Sequence, residues 1–194
     1  MNYKKLLILF ILILLISYKN SYALSRSELT ILNLEPITTI NKPKGFTSVQ
    51  GGVTTDKYVI TLFINENTDS DGKTAILVLN KNNYKLARLV ENPITDYDLG
   101  HANDVTFNNN TNELLVLSGR KINIIDLDND SFKLKKQIDL NFYYSGLGYD
   151  DLNDQYILAR GIKGGSFIEI RDNEFKILRT FVLKTNLTRQ SLTV

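Results

Sequence analysis

Short runs of strand-forming residues recur along the chain, and this recurrence is what most constrains its fold. Runs rich in Ile, Val, Leu, Tyr and Phe, such as Lys57–Ile64, Lys73–Leu79 and Lys85–Val90, alternate with clusters of Asn, Asp, Gly and Ser. Such runs are typical of β-strands, and such clusters are typical of turns. Helical periodicity is scarce after the N-terminal segment. The sequence therefore predicts an all-β fold.

The runs group into cycles. The second cycle contains Glu113–Leu117, Lys121–Asp126 and Phe132–Leu140, and the third contains Gln155–Ala159, Ser166–Arg171 and Glu174–Leu183. Each cycle opens with a similar short segment, in which we align Val53, Val105, Leu147 and Leu192. Four short strands per unit, at a period of about 40 to 50 residues, are typical of propeller blades. Such sheets stack because one sheet cannot bury both of its faces alone.

On this repeat pattern the chain resembles the broad β-propeller superfamily, in the style of the YVTN, NHL and SMP-30-like secreted propellers. The resemblance covers Phe46–Val194 and rests on the repeat alone. The Trp-Asp pair of WD40 blades is missing because the protein has no Trp. The resemblance implies an array of four-stranded antiparallel blades at about 46–98, 99–142 and 143–188, with the start of a fourth at 189–194. An N-terminal strand segment, 24–45, precedes them.

Three blades are fewer than the four to eight that usually close a propeller, and Val194 falls within a predicted strand. Three interpretations stay open. The chain is a fragment or a truncated reading frame, it completes a ring by self-association, or it is an open sandwich whose repeat is coincidental. A truncated remnant without function is the corresponding functional alternative. An open array would expose strand edges and apolar faces.

The N-terminal segment has the pattern of an export signal. Lys4 and Lys5 precede the apolar run Leu6–Ile16, and Ser21 and Ala23 place small residues before a cleavage point. The run is shorter than the roughly 20 apolar residues of a membrane span. We therefore expect residues 1–23 to be a signal peptide and the mature chain to be secreted or periplasmic, without a membrane partner. An uncleaved anchor is the alternative.

The composition further limits which linkages and which kinds of partner we expect for the chain. The chain has no Cys, so we expect neither disulfides nor a lipoprotein anchor. Its net charge is +2, and the lysines of the leader, Lys4 and Lys5 among them, leave with it, which makes the mature chain nearly neutral. Clustered Lys and Arg of the kind that nucleic acid requires are missing. The predicted partner is a ligand of unknown identity.

One segment, Asp96–Val105 (DYDLGHANDV), concentrates polar groups, and it contains the single histidine of the protein, His101. In a propeller, the segment that enters the innermost strand of a blade lines the mouth of the central channel. The corresponding positions of the cycles supply our ligand-channel candidates, which are Gln50, His101, Asn103, Ser145 and Gln190.

The order His-x-Asn-Asp-Val is similar to an inner-strand motif of SMP-30-like and paraoxonase-like propellers. That resemblance implies that Asn103, and more weakly Asp104, would ligate Ca²⁺, and that His101 is a candidate base in lactone or ester hydrolysis. The equivalent positions of the other cycles carry no carboxylate, and one charged cluster makes a poor Ca²⁺ site. The sequence therefore favours a binding or scaffolding module over a calcium-dependent lactonase or esterase. A purely structural role, in which Asp and Asn satisfy turn amides, also stays open.

Overall fold

The computed structural model describes residues 39–65, 73–91, 99–127, 131–163 and 165–184. Internal contacts divide the chain into two units, Met1–Thr39 and Ile40–Val194, and the fold below belongs to the second. The predicted signal peptide, Gln190 and the predicted fourth blade lie outside the described residues, as does most of the segment 24–45. Within the described ranges, no helix has the length and hydropathy needed to cross a membrane.

The described strands form three antiparallel sheets of four strands each, and the predicted all-β fold class is confirmed. Blade 1 contains β1 (Ser48–Thr54), β2 (Tyr58–Ile64), β3 (Thr74–Asn80) and β4 (Leu86–Glu91). Blade 2 contains β5 (Asp104–Asn108), β6 (Glu113–Ser118), β7 (Lys121–Asp126) and β8 (Lys133–Asp139). Blade 3 contains β9 (Gly146–Asp150), β10 (Gln155–Ile162), β11 (Gly165–Arg171) and β12 (Ile177–Lys184). Each sheet follows chain order from its first strand to its last.

The blades stack face to face, and blade 2 shows why its strands are apolar throughout. Leu114 and Val116 of β6 pack in the core shared with blade 1, whereas Leu115 and Leu117 pack in the core shared with blade 3. Successive side chains of a strand point to opposite faces, so a strand buried on both faces reads as a continuous apolar run. The first strands β1, β5 and β9 neighbour one another and form the inner edge of the array.

The structure corrects the alignment of the first cycle. Val105 and Leu147 face the preceding blade, because they pack in the cores that blades 2 and 3 share with their predecessors. Val53 packs against the core between blades 1 and 2, so it faces the following blade. The turn between β1 and β2 is one residue shorter than its counterparts, and the pairing of these two strands is irregular between Val49 and Gly51. A shift of one residue moves a side chain to the opposite face of a sheet.

The turn before the last strand of each blade contains an aromatic residue with positive φ. These residues are Tyr84 (φ 55°), Phe132 (φ 50°) and Phe175 (φ 65°). Phe132 and Phe175 are buried in the two inter-blade cores, and Phe175 stacks on Tyr156 with ring centroids 4.4 Å apart. Bulky residues seldom adopt this conformation. The buried contacts that these rings make offset its cost.

Candidate functional site

Asn103 and Asp104, the predicted calcium ligands, connect blade 2 to blade 3. The Nδ2 of Asn103 donates to the hydroxyl of Tyr143 at 2.7 Å and to the carbonyl of Tyr144 at 3.0 Å. Both carboxylate oxygens of Asp104 accept backbone N–H groups, Oδ1 from Val105 and Oδ2 from Leu147, each at 2.9 Å. These two side chains are 6% and 1% exposed, respectively. Both side chains therefore form hydrogen bonds that link blade 2 to blade 3.

The contacts of these residues in the described parts of the chain differ from those of a calcium site. Ca²⁺ takes six to eight oxygen ligands, with carboxylates prominent among them. No group of three or more His, Asp or Glu side chains that could hold a metal ion occurs in the described ranges. The Asn103 amide also faces its partners with its nitrogen. Calcium binding at Asn103 and Asp104 stays a prediction that the described contacts do not support.

The segment that contains His101 is anchored, but the histidine itself is exposed. The hydroxyl of Thr74 donates to the carbonyl of Gly100 at 2.6 Å and accepts the N–H of Ala102 at 3.1 Å. The hydroxyl of Ser118 donates to the carbonyls of Leu99 and His101. These bonds hold the backbone and leave the imidazole of His101 facing solvent.

A cleft lies at the opposite end of the inner strands from Asn103. This main cleft has a volume of about 390 Å³. Its walls are the ends of β1, β5 and β9 and the turns that follow these strands, with Lys81 from the β3–β4 turn. Its polar lining includes Thr54, Asp56, Lys81, Thr106, Asn109 and Asp151. Gln50, His101, Asn103 and Ser145 do not line it, so the predicted candidates and the main cleft lie at different ends of the array.

A second, smaller opening continues the main cleft along blades 1 and 2. This side cleft has a volume of about 180 Å³ and shares Thr55, Asp56, Phe107 and Asn109 with the main cleft. Tyr58 and Leu127 line its far end. Because the two clefts share four lining residues, they adjoin each other.

Three consecutive asparagines, which we call the asparagine wall, connect blades 2 and 3 beside the main cleft, and of the three Asn109 lines it. The Nδ2 atoms of Asn108, Asn109 and Asn110 donate to the Tyr156 hydroxyl at 2.6 Å, the Asp151 carboxylate at 3.1 Å and the Tyr149 hydroxyl at 2.7 Å, respectively. Asn108 also uses its Oδ1 to accept the N–H groups of Asn110 and Thr111, which shapes the turn. The cleft wall is therefore held rigidly by both blades.

The charges of the main cleft are unequal. Asp56 and Asp151 contribute two carboxylates, and Lys81 contributes one ammonium, which donates to the carbonyl of Thr55 at 3.1 Å. The carboxylate of Asp56 has no hydrogen-bond or ion-pair partner among the described residues and is exposed. Burial, with the hydrogen bond to Asp154, raises the pKa of the Tyr149 hydroxyl above its ordinary range. That phenol stays neutral, so the cleft has an excess of negative charge.

The sequence contained a signal for this site that the motif analysis missed. The turns Asn108–Asn112 and Asp150–Asp154 each begin with an Asn or Asp that accepts backbone N–H groups, and each ends with a residue at φ 55° or 52°. Two Asx-type turns at the same place in successive cycles mark the same rim of the array.

Comparisons with known proteins agree on the fold. No protein-family model matches the chain. No curated protein matches it either. Two of the solved structures that match are the WD40 repeats of RRP9 (TM-score 0.51, 11% identity, 72% of this chain and 39% of that chain) and U3-55K (TM-score 0.51, 11% identity, 73% and 40%). Hydrazine synthase of Kuenenia stuttgartiensis has a TM-score of 0.49 at 10% identity, over 70% of this chain and 37% of that one.

The three four-stranded sheets and the two WD40 structures define the class of the protein: its described blades have a propeller-type fold. The chain spans about two fifths of the length of the WD40 structures that it matches. The similarity supports the propeller class as such, and the YVTN, NHL or SMP-30-like subtype stays a prediction.

Proposed function

We propose that this protein is a binding module of the propeller type, whose ligand lies in the main cleft. One observation carries the proposal. Three neighbouring inner strands and their turns enclose about 390 Å³ in which carboxylate, hydroxyl, amide and ammonium groups converge. Ligand sites in proteins are typically concave, preformed and within this range of volume. The asparagine wall supplies the rigidity that lowers the entropic cost of binding.

The lining indicates the chemical class of the ligand. Two carboxylates against one ammonium favour a neutral or cationic molecule over an anion. Hydroxyl and amide groups, such as those of Thr54, Thr106 and Asn109, suit a ligand with several hydrogen-bonding groups. A small polar compound, a sugar or a short peptide segment fits this description.

The export of the module is a further part of the proposal. It rests on the leader predicted at residues 1–23 and not on the fold. Expression in a secreting host followed by mass determination of the exported protein tests it. An N-terminus at Leu24 supports export with cleavage, and a full-length product retained in the membrane fraction contradicts it.

Blocking the cleft tests the binding function. Thr54 is exposed at the cleft wall, so Thr54→Tyr fills space without entering a core. Thr180→Tyr, on the exposed strand β12 far from the cleft, is the matched control. The melting temperatures of the wild type and of both variants are measured with each compound of a panel. The panel contains sugars, polyamines, neutral dipeptides and inorganic anions.

We expect at least one neutral or cationic compound to raise the melting temperature of the wild type and of Thr180→Tyr, because a ligand that binds only the folded state stabilises it. The same compound should leave Thr54→Tyr unchanged. A Thr54→Tyr variant that responds like the wild type, or a wild type that responds to no compound of the panel, contradicts the proposal.

A further inference from the structure

A stacked arginine lies at the other end of blade 3 from the main cleft. Arg160, near the end of β10, has its Cζ 4.2 Å from the ring centroid of Phe142 and 4.4 Å from that of Phe167. Phe167 is its direct cross-strand partner on β11, and Phe142 belongs to the connection between blades 2 and 3. Both rings lie within the roughly 6 Å over which a guanidinium is attracted to an aromatic ring.

The hydrogen-bonding capacity of this guanidinium is unused within the described chain. Its Nε is buried and has no hydrogen-bond partner. None of the three ion pairs among the described residues includes Arg160. Because Nε is closed to solvent while Arg160 as a whole is only half-buried, an acceptor from outside the chain can reach the guanidinium only at the edge formed by its terminal N–H groups.

The surroundings of Arg160 have the composition of an interaction surface. Phe142 and Tyr143 are 48% and 56% exposed, which is unusual for adjacent aromatic side chains. Aromatic residues and Arg are enriched at the centres of protein interfaces. Arg120 and Lys163, in neighbouring turns of this end of the array, are exposed and add positive charge. The charge complement of this surface is therefore an anion.

We propose that Arg160, Phe142 and Tyr143 form a second binding site, which anchors a carboxylate of an acidic protein partner. A carboxylate is planar and matches the edge of a guanidinium with two parallel hydrogen bonds. The exposed rings beside it accept an apolar group that adjoins this carboxylate. The site is independent of the main cleft and of the function proposed for it.

Nuclear magnetic resonance of the full chain tests this site through the Nε–Hε signal of Arg160. The probes are the peptide acetyl-Glu-Phe-Glu-amide, its Gln-Phe-Gln counterpart, acetyl-Gly-Phe with a free C-terminal carboxylate, and inorganic phosphate. We expect saturable shifts with the carboxylate probes below about 10 mM and at least tenfold weaker binding of the Gln peptide, because the neutral amide loses the charge-assisted bonds. The two carboxylate probes separate side-chain from C-terminal recognition.

Two variants and a control make the outcome decisive. Arg160→Lys keeps the charge but loses the planar fork, so we expect it to weaken binding of the better carboxylate probe by about tenfold or more. Phe142→Leu removes one exposed stacking ring and should weaken binding without unfolding the chain. Lys133→Ala removes an exposed charge at the start of β8, at the other end of the array, and should leave the affinity within about threefold of the wild type. Failure of the wild type to saturate with either carboxylate probe, equal losses in Arg160→Lys and Lys133→Ala, or tighter binding of phosphate would overturn the proposal.

Discussion

The carboxylate of Asp104 joins the inner strands of blades 2 and 3. Its Oδ2 accepts the backbone N–H of Leu147 on β9 at 2.9 Å, while its Oδ1 accepts the N–H of Val105 on its own strand. The same Oδ1 lies 3.0 Å from where a Cβ on Gly51 of blade 1 would be. A single buried side chain therefore sits where all three inner strands meet.

Replacement of Asp104 by Asn should destabilise the fold. An amide has one acceptor oxygen, so one of the two N–H groups would face an NH₂ donor instead of an acceptor. A buried donor without a partner costs about 1–3 kcal/mol, and we expect a loss of that size in the free energy of unfolding by urea. Asp139→Asn, at an exposed strand end, should change it by less than about 0.5 kcal/mol. Equal losses in the two variants would contradict the role given to Asp104.

Calcium should have little effect on the protein, because Asn103 and Asp104 already bind backbone and side-chain groups of blade 3. We expect the melting temperature to change by less than about 1 °C when Ca²⁺ or a chelator is added, since a bound ion would stabilise the folded state. A shift of several degrees that Asn103→Ala abolishes would restore the predicted calcium site. Esterase activity that is lost both on chelation and in Asn103→Ala would restore the hydrolase alternative.

Glu169 and Arg171 form a buried ion pair on the face of blade 3 that meets blade 2. The Arg171 guanidinium donates to Glu169 Oε2 through Nε at 2.9 Å, and the hydroxyl of Tyr144 donates to Oε1 at 2.8 Å. Glu169→Gln keeps the shape but leaves Arg171 buried without its anion. We expect a loss of about 3–5 kcal/mol in the free energy of unfolding.

The exposed pair of Glu174 and Lys176 is the control for this experiment. Glu174→Gln should cost less than about 1 kcal/mol, because water screens that pair. If both Gln variants lost the same small amount of unfolding free energy, the buried pair would contribute no more to stability than a surface pair.

Alkaline pH should destabilise the protein partly through Tyr144. Burial, and then the neighbouring Glu169 carboxylate, raise the pKa of its hydroxyl from 10.0 to about 12. Between these two values the unfolded chain loses this proton while the folded chain keeps it. The stability from this group is therefore complete below pH 10 and is lost as the pH rises to about 12.

The slope that Tyr144 contributes is up to about 1.4 kcal/mol per pH unit, which corresponds to one proton. Tyr149 and Tyr156 also have raised pKa values. The unfolding free energy of the wild type should therefore decline more steeply with pH than Tyr144 alone would cause. Tyr144→Phe should show a shallower decline of unfolding free energy between pH 10 and 12. Parallel curves for the two proteins would exclude this role of Tyr144.

The strands of the protein could be predicted from local sequence, because apolar β-branched runs bounded by polar turns need no long-range information. The run at 113–117 was predicted as a strand, and β6 is Glu113–Ser118. A better repeat marker was also present. An aromatic residue followed by Lys occurs at Tyr84, Phe132 and Phe175, which have positive φ in the turn before the last strand of each blade. The alignment of Val53 with Val105 and Leu147 instead assigned the Val53 side chain to the wrong face of its sheet.

The candidate site shows what local patterns could not supply. The sequence by itself determined the all-β class, the four-stranded repeat and the places where polar turns interrupt it, since these depend on composition and a side-chain period of two. Only the stacking of the blades decided that Asn103 and Asp104 connect neighbours and that Asp56, Asn109 and Asp151 line a cleft at the other end. Which polar groups meet across two sheets depends on how those sheets are offset, and packing between residues far apart in the chain sets that offset.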